Sequence, residues 1–238
     1  MKKKKRKLIR IIAFILFAIG FALFAYPFVM RGAFDIQEKK EIEQFDKQNK
    51  DKLKKDNADK IPYAELRKAM FKYNKKLYSS GQSGLIDQLS YEKPDFLLSD
   101  YGINSDILGY ITIPSINVKL PVYNGASTEN MAKGATYLAH TSLPVGGKNT
   151  NCVIAAHNWY NGIYIFQRIT ELNEGDEIYI TNFWETLVYK VVETKVINPG
   201  DSKNIYIQAN RSLVTLSTCY PYPDNFQRYL VYAELVKD

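Results

Sequence analysis

The stretch from Ile11 to Met30 carries no charged residue, and seven basic residues, Lys2, Lys3, Lys4, Lys5, Arg6, Lys7 and Arg10, stand directly before it. About 20 apolar residues span a bilayer core, so a transmembrane helix is expected there. A cleaved signal peptide also opens on basic residues, but its apolar part runs to only about 7 to 15 residues and ends at small ones. Here the stretch is longer and closes on Tyr26 and Phe28, rings suited to a membrane interface. A retained anchor is the expectation. Positive flanks stay in the cytoplasm, which puts residues 1–10 inside as a basic tail, residues 11–30 in the membrane and the rest outside the cell. No second long apolar run follows, so a single pass is expected.

The same basic cluster explains the formal charge of +7, because the 25 Lys and Arg that remain of 32 balance 25 Asp and Glu. The ectodomain is formally neutral, and a nucleic-acid partner loses its electrostatic footprint. Only Cys152 and Cys219 are present. A domain outside the cell could oxidise paired cysteines, but two cannot make a disulfide scaffold.

Residues 31–60 turn to Lys, Glu, Asp, Gln and Asn with scattered Ile36, Ile42, Phe45 and Leu53, which reads as a solvated helical stalk or a partly disordered one. Residues 61–106 combine two features. Tyr63, Leu66, Met70, Tyr73 and Leu77 recur at helical spacing, and a long connection from Ser79 to Asp106 carries Tyr91, Phe96, Leu97, Leu98 and Tyr101. Long connections of this kind are often lids. Residues 107–238 read as eight short strands: Gly109 to Ile113, Asn117 to Tyr123, Thr136 to Ala139, Cys152 to His157, Glu177 to Thr181, Leu187 to Ile197, Ser212 to Cys219 and Arg228 to Val236. Separated by turn residues, they imply a mostly β fold, a small barrel or sandwich. Ile163, Phe166, Ile169 and Leu172 repeat every three residues, which predicts a short helix.

Two cysteines and two histidines make a short census of nucleophiles and bases. No pair has ligand spacing, so neither a metal nor another cofactor is expected. Cys219 ends an apolar strand and is followed by Tyr220-Pro221-Tyr222-Pro223, which cannot continue a paired strand. Alternation puts it on one face with Ser217, Thr215 and Leu213. His157 likewise ends the run from Cys152. Arg228 opens the last strand and offers a permanent cation for a thiolate or an oxyanion. Each has a plain alternative: an inert buried thiol, a capped histidine, a solvated arginine. Cys152, flanked by Val153 and Ile154, reads as core. His140, at a strand end, reads as structural or as part of a cleft rim.

The run Thr215-Leu216-Ser217-Thr218-Cys219 resembles the sortase signature Thr-Leu-x-Thr-Cys. Ala155-Ala156-His157 upstream, Arg228 downstream and the eight-strand pattern agree with it. The resemblance implies an eight-stranded sortase-type β-barrel with Cys219 as nucleophile, His157 as acid or base and Arg228 as transition-state cation. It also implies that Thr215, Ser217, Thr218 and His140 border the substrate. The implied activity is cleavage of a Leu-Pro-x-Thr-Gly-like sorting signal after Thr through a thioester, followed by acyl transfer to an amine. Leu120-Pro121-Val122-Tyr123-Asn124-Gly125 and the loop from Thr141 to Thr150 are most similar to class C, pilin-polymerising sortases. That class implies a pilin lysine as acceptor, with a peptidoglycan cross-bridge as runner-up, and a lid, whose counterpart here is Lys93-Pro94-Asp95-Phe96. The same residues would serve a hydrolytic cysteine peptidase, and a membrane-tethered adhesin or scaffold would leave Cys219 inert.

Overall fold

All eight expected strands are present and close on themselves. The computed structural model describes residues 2–55, 63–85, 91–160 and 163–236. In chain order the elements are α1 (Lys2–Lys55), α2 (Ala64–Ser79), β1 (Ile107–Ile113), β2 (Val118–Asn124), α3 (Thr128–Lys133), β3 (Ala135–Tyr137) and β4 (Thr150–Ala155). There follow β5 (Trp159–Tyr160), β6 (Ile163–Tyr164), β7 (Glu177–Thr181), β8 (Thr186–Ile197), β9 (Ser212–Tyr220) and β10 (Gln227–Leu235). The closed barrel runs β1-β2-β3-β4-β9-β10-β8-β7, and β5 and β6 form a separate two-stranded hairpin.

Two of the barrel's pairings are parallel, β2 with β3 and β4 with β9, and the other six are antiparallel. Strands covered on both faces read as continuous apolar runs, and β4 and β9 are buried along nearly their whole length. Ile154, Val214, Leu216 and Val231 fill the interior, while Val153, Leu138, Leu230 and Tyr232 form a second apolar layer on the outer face. Closure is tight at Gly109, where a Cβ would stand 2.1 Å from the Thr181 carbonyl oxygen. Only glycine fits there.

The apolar stretch is the first part of α1, which is long and apolar enough to cross a membrane, with Phe14, Phe17 and Phe24 exposed. The helix then continues through the segment expected to be a solvated stalk. For its described part that expectation is corrected: Phe34, Glu38, Ile42, Phe45 and Asn49 are buried, at the spacing of one helical face. This face packs on β1, β2 and β6. The Phe45 ring meets Tyr110 and Phe183, Tyr63 donates to Asn49 at 2.7 Å, and the Tyr123 hydroxyl donates to Glu41. Residues 56–60 of the expected stalk lie outside the described residues.

Helix α2 buries Leu66, Met70, Asn74 and Leu77. Asn74 acts as a surrogate strand, accepting from Leu143 N at 2.8 Å and donating to Leu143 O at 3.1 Å. The helix expected over Ile163 to Leu172 is corrected as well. Ile163 and Tyr164 belong to β6, and only Gln167–Glu171 forms a helical turn, of the 3₁₀ type. A repeat of three residues is the 3₁₀ period, and it buries Ile169.

Candidate active site

Cys219 lies on β9 between two neighbours that each bring one of the other two expected residues. On one side β4 runs parallel, with Ala155 level with Ser217, and the same register carried two residues on sets His157 level with Cys219. Contacts beyond the end of β4 maintain that pairing. Ala156 N donates to Ser217 O at 3.2 Å, Thr218 Oγ1 donates to Ala156 O at 2.9 Å, and Asn158 Nδ2 donates to Cys219 O at 3.1 Å. On the other side β10 runs antiparallel and pairs Arg228 directly with Cys219. Alternation puts Cys219, His157 and Arg228 on the outer face with Ser217, Ala155 and Leu230.

All three side chains are partly exposed. Cys219 is a free thiol. Arg228 Nη1 donates to Gln227 O at 2.9 Å and Asn225 O at 3.3 Å, which leaves the rest of its fork of donors for other partners. The His157 ring lies parallel to the Tyr160 ring, with centroids 4.9 Å apart and planes 7° apart. Burial pushes the imidazole below its ordinary value, because an apolar setting disfavours the cation. Cys152 faces the core, and burial pushes its thiol up, which disfavours the thiolate.

A cleft of about 280 Å³ runs along the outer face up to Ser217 and Arg228. Leu138, Ala155, Ile197 and Leu230 line it with Tyr91, and Glu92 and Asp201 add two carboxylates. A larger cavity, about 440 Å³, lies between α1 and the β2 and β6 strands, away from Cys219.

Of the residues expected to border the substrate, Ser217 lines the cleft. Thr215 is fully buried and donates to Asn151 Oδ1 at 2.7 Å, and Thr218 is turned to Ala156 O as above. His140 Nδ1 stands 2.9 Å from Asp95 Oδ2, and the same carboxylate accepts from the Tyr73 hydroxyl. His140 and Asp95 thus tie the connecting segment to the barrel and to α2. Phe96 is buried, stacked on Tyr101 and edge-on to Tyr73, and Pro94 crosses over Gly125, where a Cβ would meet its Cδ at 2.9 Å. Pro94, Asp95 and Phe96 are not among the residues lining the cleft; from that segment Tyr91 and Glu92 are. Asn158 and Tyr160 were not singled out from the sequence, where they look like ordinary turn residues.

A closed barrel with a partly exposed thiol on its outer face, level with a histidine just past one neighbouring strand and paired with an arginine on the other, suits cysteine-nucleophile chemistry. The chain belongs to the sortase family of cysteine transpeptidases: the Sortase domain model matches residues 111–236. Sortase C from Clostridium perfringens SM101 superposes with a TM-score of 0.67 at 34% identity, covering 84% of this chain and 99% of that one. Clostridium perfringens sortase C with the C-terminal cell wall sorting motif gives 0.65 at 33%, with the same coverage. The Group B Streptococcus Pilus Island 1 sortase C2 gives 0.63 at 30%, covering 73% and 99%. Among curated relatives, sortase D of Bacillus subtilis (strain 168) is 29% identical over 131 residues, 54% of this chain and 63% of that protein.

Proposed function

We propose that this protein is a membrane-tethered transpeptidase that cleaves a Leu-Pro-x-Thr-Gly-like sorting signal after Thr and passes the acyl group to an amine, with a pilin lysine as acceptor. The observation that supports the reading is the register that sets His157 and Arg228 on either side of Cys219, with a cleft that reaches Arg228 and Ser217. The class C structures it resembles support the pilin assignment, and the C. perfringens enzyme was solved with a C-terminal cell wall sorting motif. The basic tail before the apolar helix supports a cytoplasmic amino terminus and an extracellular barrel.

In this reading the Cys219 thiolate attacks the Thr carbonyl carbon, and the oxygen takes up the negative charge. Arg228 donates to that oxygen, an interaction worth more in the transition state than in the ground state. His157 gives a proton to the departing glycine nitrogen, the C–N bond breaks, and a thioester remains on Cys219. The acceptor amine then attacks the thioester, His157 takes the surplus proton, and the thiolate leaves. A lysine amine in place of water makes the outcome transfer rather than hydrolysis.

The test is to incubate the full chain in detergent micelles with a sorting-signal peptide and look by mass spectrometry for a thioester on Cys219. A lysine peptide is then added. Amide product that depends on that peptide is expected; a free carboxylate formed at the same rate without it would make the protein a peptidase. An unreactive Cys219 would leave only a scaffold.

A further inference from the structure

We propose that Tyr160 is a positioning residue for His157, and that α1, through its packing on the β5–β6 hairpin, holds both beside Cys219. The proposal rests on the reading of His157 as acid and base. His157 stands two residues past the end of β4, where its neighbours Ala156 and Asn158 still bond to β9 but the ring itself projects beyond the last ladder pair. What holds the ring is the hairpin. Tyr160 lies flat against the imidazole, Phe166 N donates to His157 O at 2.9 Å, and Ile165 N donates to Asn158 O at 3.3 Å. A flat stack fixes the plane of a ring while leaving both ring nitrogens free for proton transfer.

The hairpin itself adds only two short strands to its own support. Helix α1 packs on β6, and Phe34 of α1 lines the cavity between them together with Ile163 and Ile165. The helix that carries the membrane anchor therefore braces the loop that carries the proposed acid. The titratable groups that face the His157 ring are Tyr160, stacked on it, and Cys219 on the adjacent strand β9, with Arg228 one strand further away on β10.

The experiment uses the full chain in detergent micelles, a Leu-Pro-x-Thr-Gly peptide and a lysine peptide as acceptor. Tyr160→Ala should lower kcat roughly 10- to 100-fold, the loss a misaligned acid or base produces, with KM within about twofold. It should also move the His157 limb of the pH–rate profile, and the imidazole titration read by NMR, upward as the ring becomes solvated. Tyr160→Phe should restore both rate and profile. Phe34→Ala should reproduce the effect of Tyr160→Ala in weaker form. Wild-type kcat and pH profile in Tyr160→Ala would overturn the proposal, as would a rate loss that Tyr160→Phe does not rescue. If Tyr160→Ala does not fold, Tyr160→Leu fills the space without a flat face, and wild-type kinetics there would overturn it equally. A wild-type chain that forms no thioester on Cys219 would instead remove the functional reading beneath it.

Discussion

Cys219 is a strand-end thiol that is only partly buried, so it contributes little to packing. Cys219→Ala should abolish the thioester and all transfer while leaving the thermal midpoint within a few degrees, checked by mass spectrometry and a melting curve. Arg228→Lys keeps the charge but loses the planar fork. A single oxyanion donor is worth roughly 2.7 to 4 kcal/mol, so kcat should fall by about two to three orders of magnitude, read from steady-state rates. His157 predicts a pH effect on stability. Its folded value lies below the ordinary 6.5 because of burial, so just below that pH the unfolded chain binds a proton that the folded chain refuses. Stability then rises with pH across that window and falls on acidification. Melting curves of His157→Gln should show a shallower loss between neutral and mildly acidic pH than the wild type does. Strand alternation was enough to put Cys219, Ser217 and Thr215 on one face. It could not tell that Thr215 spends its hydroxyl on Asn151, because a hydrogen-bond partner 64 positions away leaves no local pattern. Asn158 was hidden for the same reason.

The eight barrel strands were legible as elements because most are short and apolar and all are separated by turn residues, and their ends shift by only a few positions. Helix α1 was legible as a helix apolar enough to cross a membrane but not as a neighbour packed on the barrel. Its buried stripe runs Phe34, Glu38, Ile42, Phe45 and Asn49, and with two polar members out of five the apolar period does not stand out in a charged segment. Glu38 is the cost of that stripe. It is 8% exposed, its Oε1 lacks a hydrogen-bond partner, and burial, with Asp35 and Glu41 nearby, raises its pKa from 4.5 to about 9. A raised value means that the folded chain holds a proton the unfolded chain has released. The stability is complete below the ordinary carboxylate value of 4.5 and is lost as pH climbs towards about 9. Glu38→Gln keeps the shape without the titration. It should therefore hold α1 on the barrel more firmly at pH 8 while making little difference at pH 5, which hydrogen exchange of the α1 amides would register. Equal protection in wild type and variant at pH 8 would mean that Glu38 reaches solvent.

At the scale of the whole molecule, the described part of the segment between α2 and β1 reaches the cleft at Tyr91 and Glu92. The sequence marked it as a lid through Pro94, Asp95 and Phe96, since apolar side chains in a long connection need a surface to cover. The surface they cover is the seam between α2 and the barrel, where Phe96 meets Tyr73 and Tyr101 and Asp95 joins Tyr73 to His140. The part that reaches the cleft is Tyr91, whose carbonyl accepts from Ala126 N at 3.0 Å and Ala139 N at 3.4 Å. One segment therefore has a structural half and a cleft-facing half, and two substitutions separate them. Phe96→Ala removes a buried ring and should cost about 3 to 5 kcal/mol of stability, read as a lower denaturant midpoint, with the rate of Cys219 labelling by a thiol reagent little changed while the protein stays folded. Tyr91→Ala removes a ring from the cleft wall. If Tyr91 must swing aside before a peptide binds, the apparent affinity of the wild type is reduced by the fraction of molecules that are open, so the variant should bind and cleave the sorting-signal peptide several-fold better without changing which peptide it prefers. Unaltered peptide affinity in Tyr91→Ala would make that ring a fixed wall of the cleft.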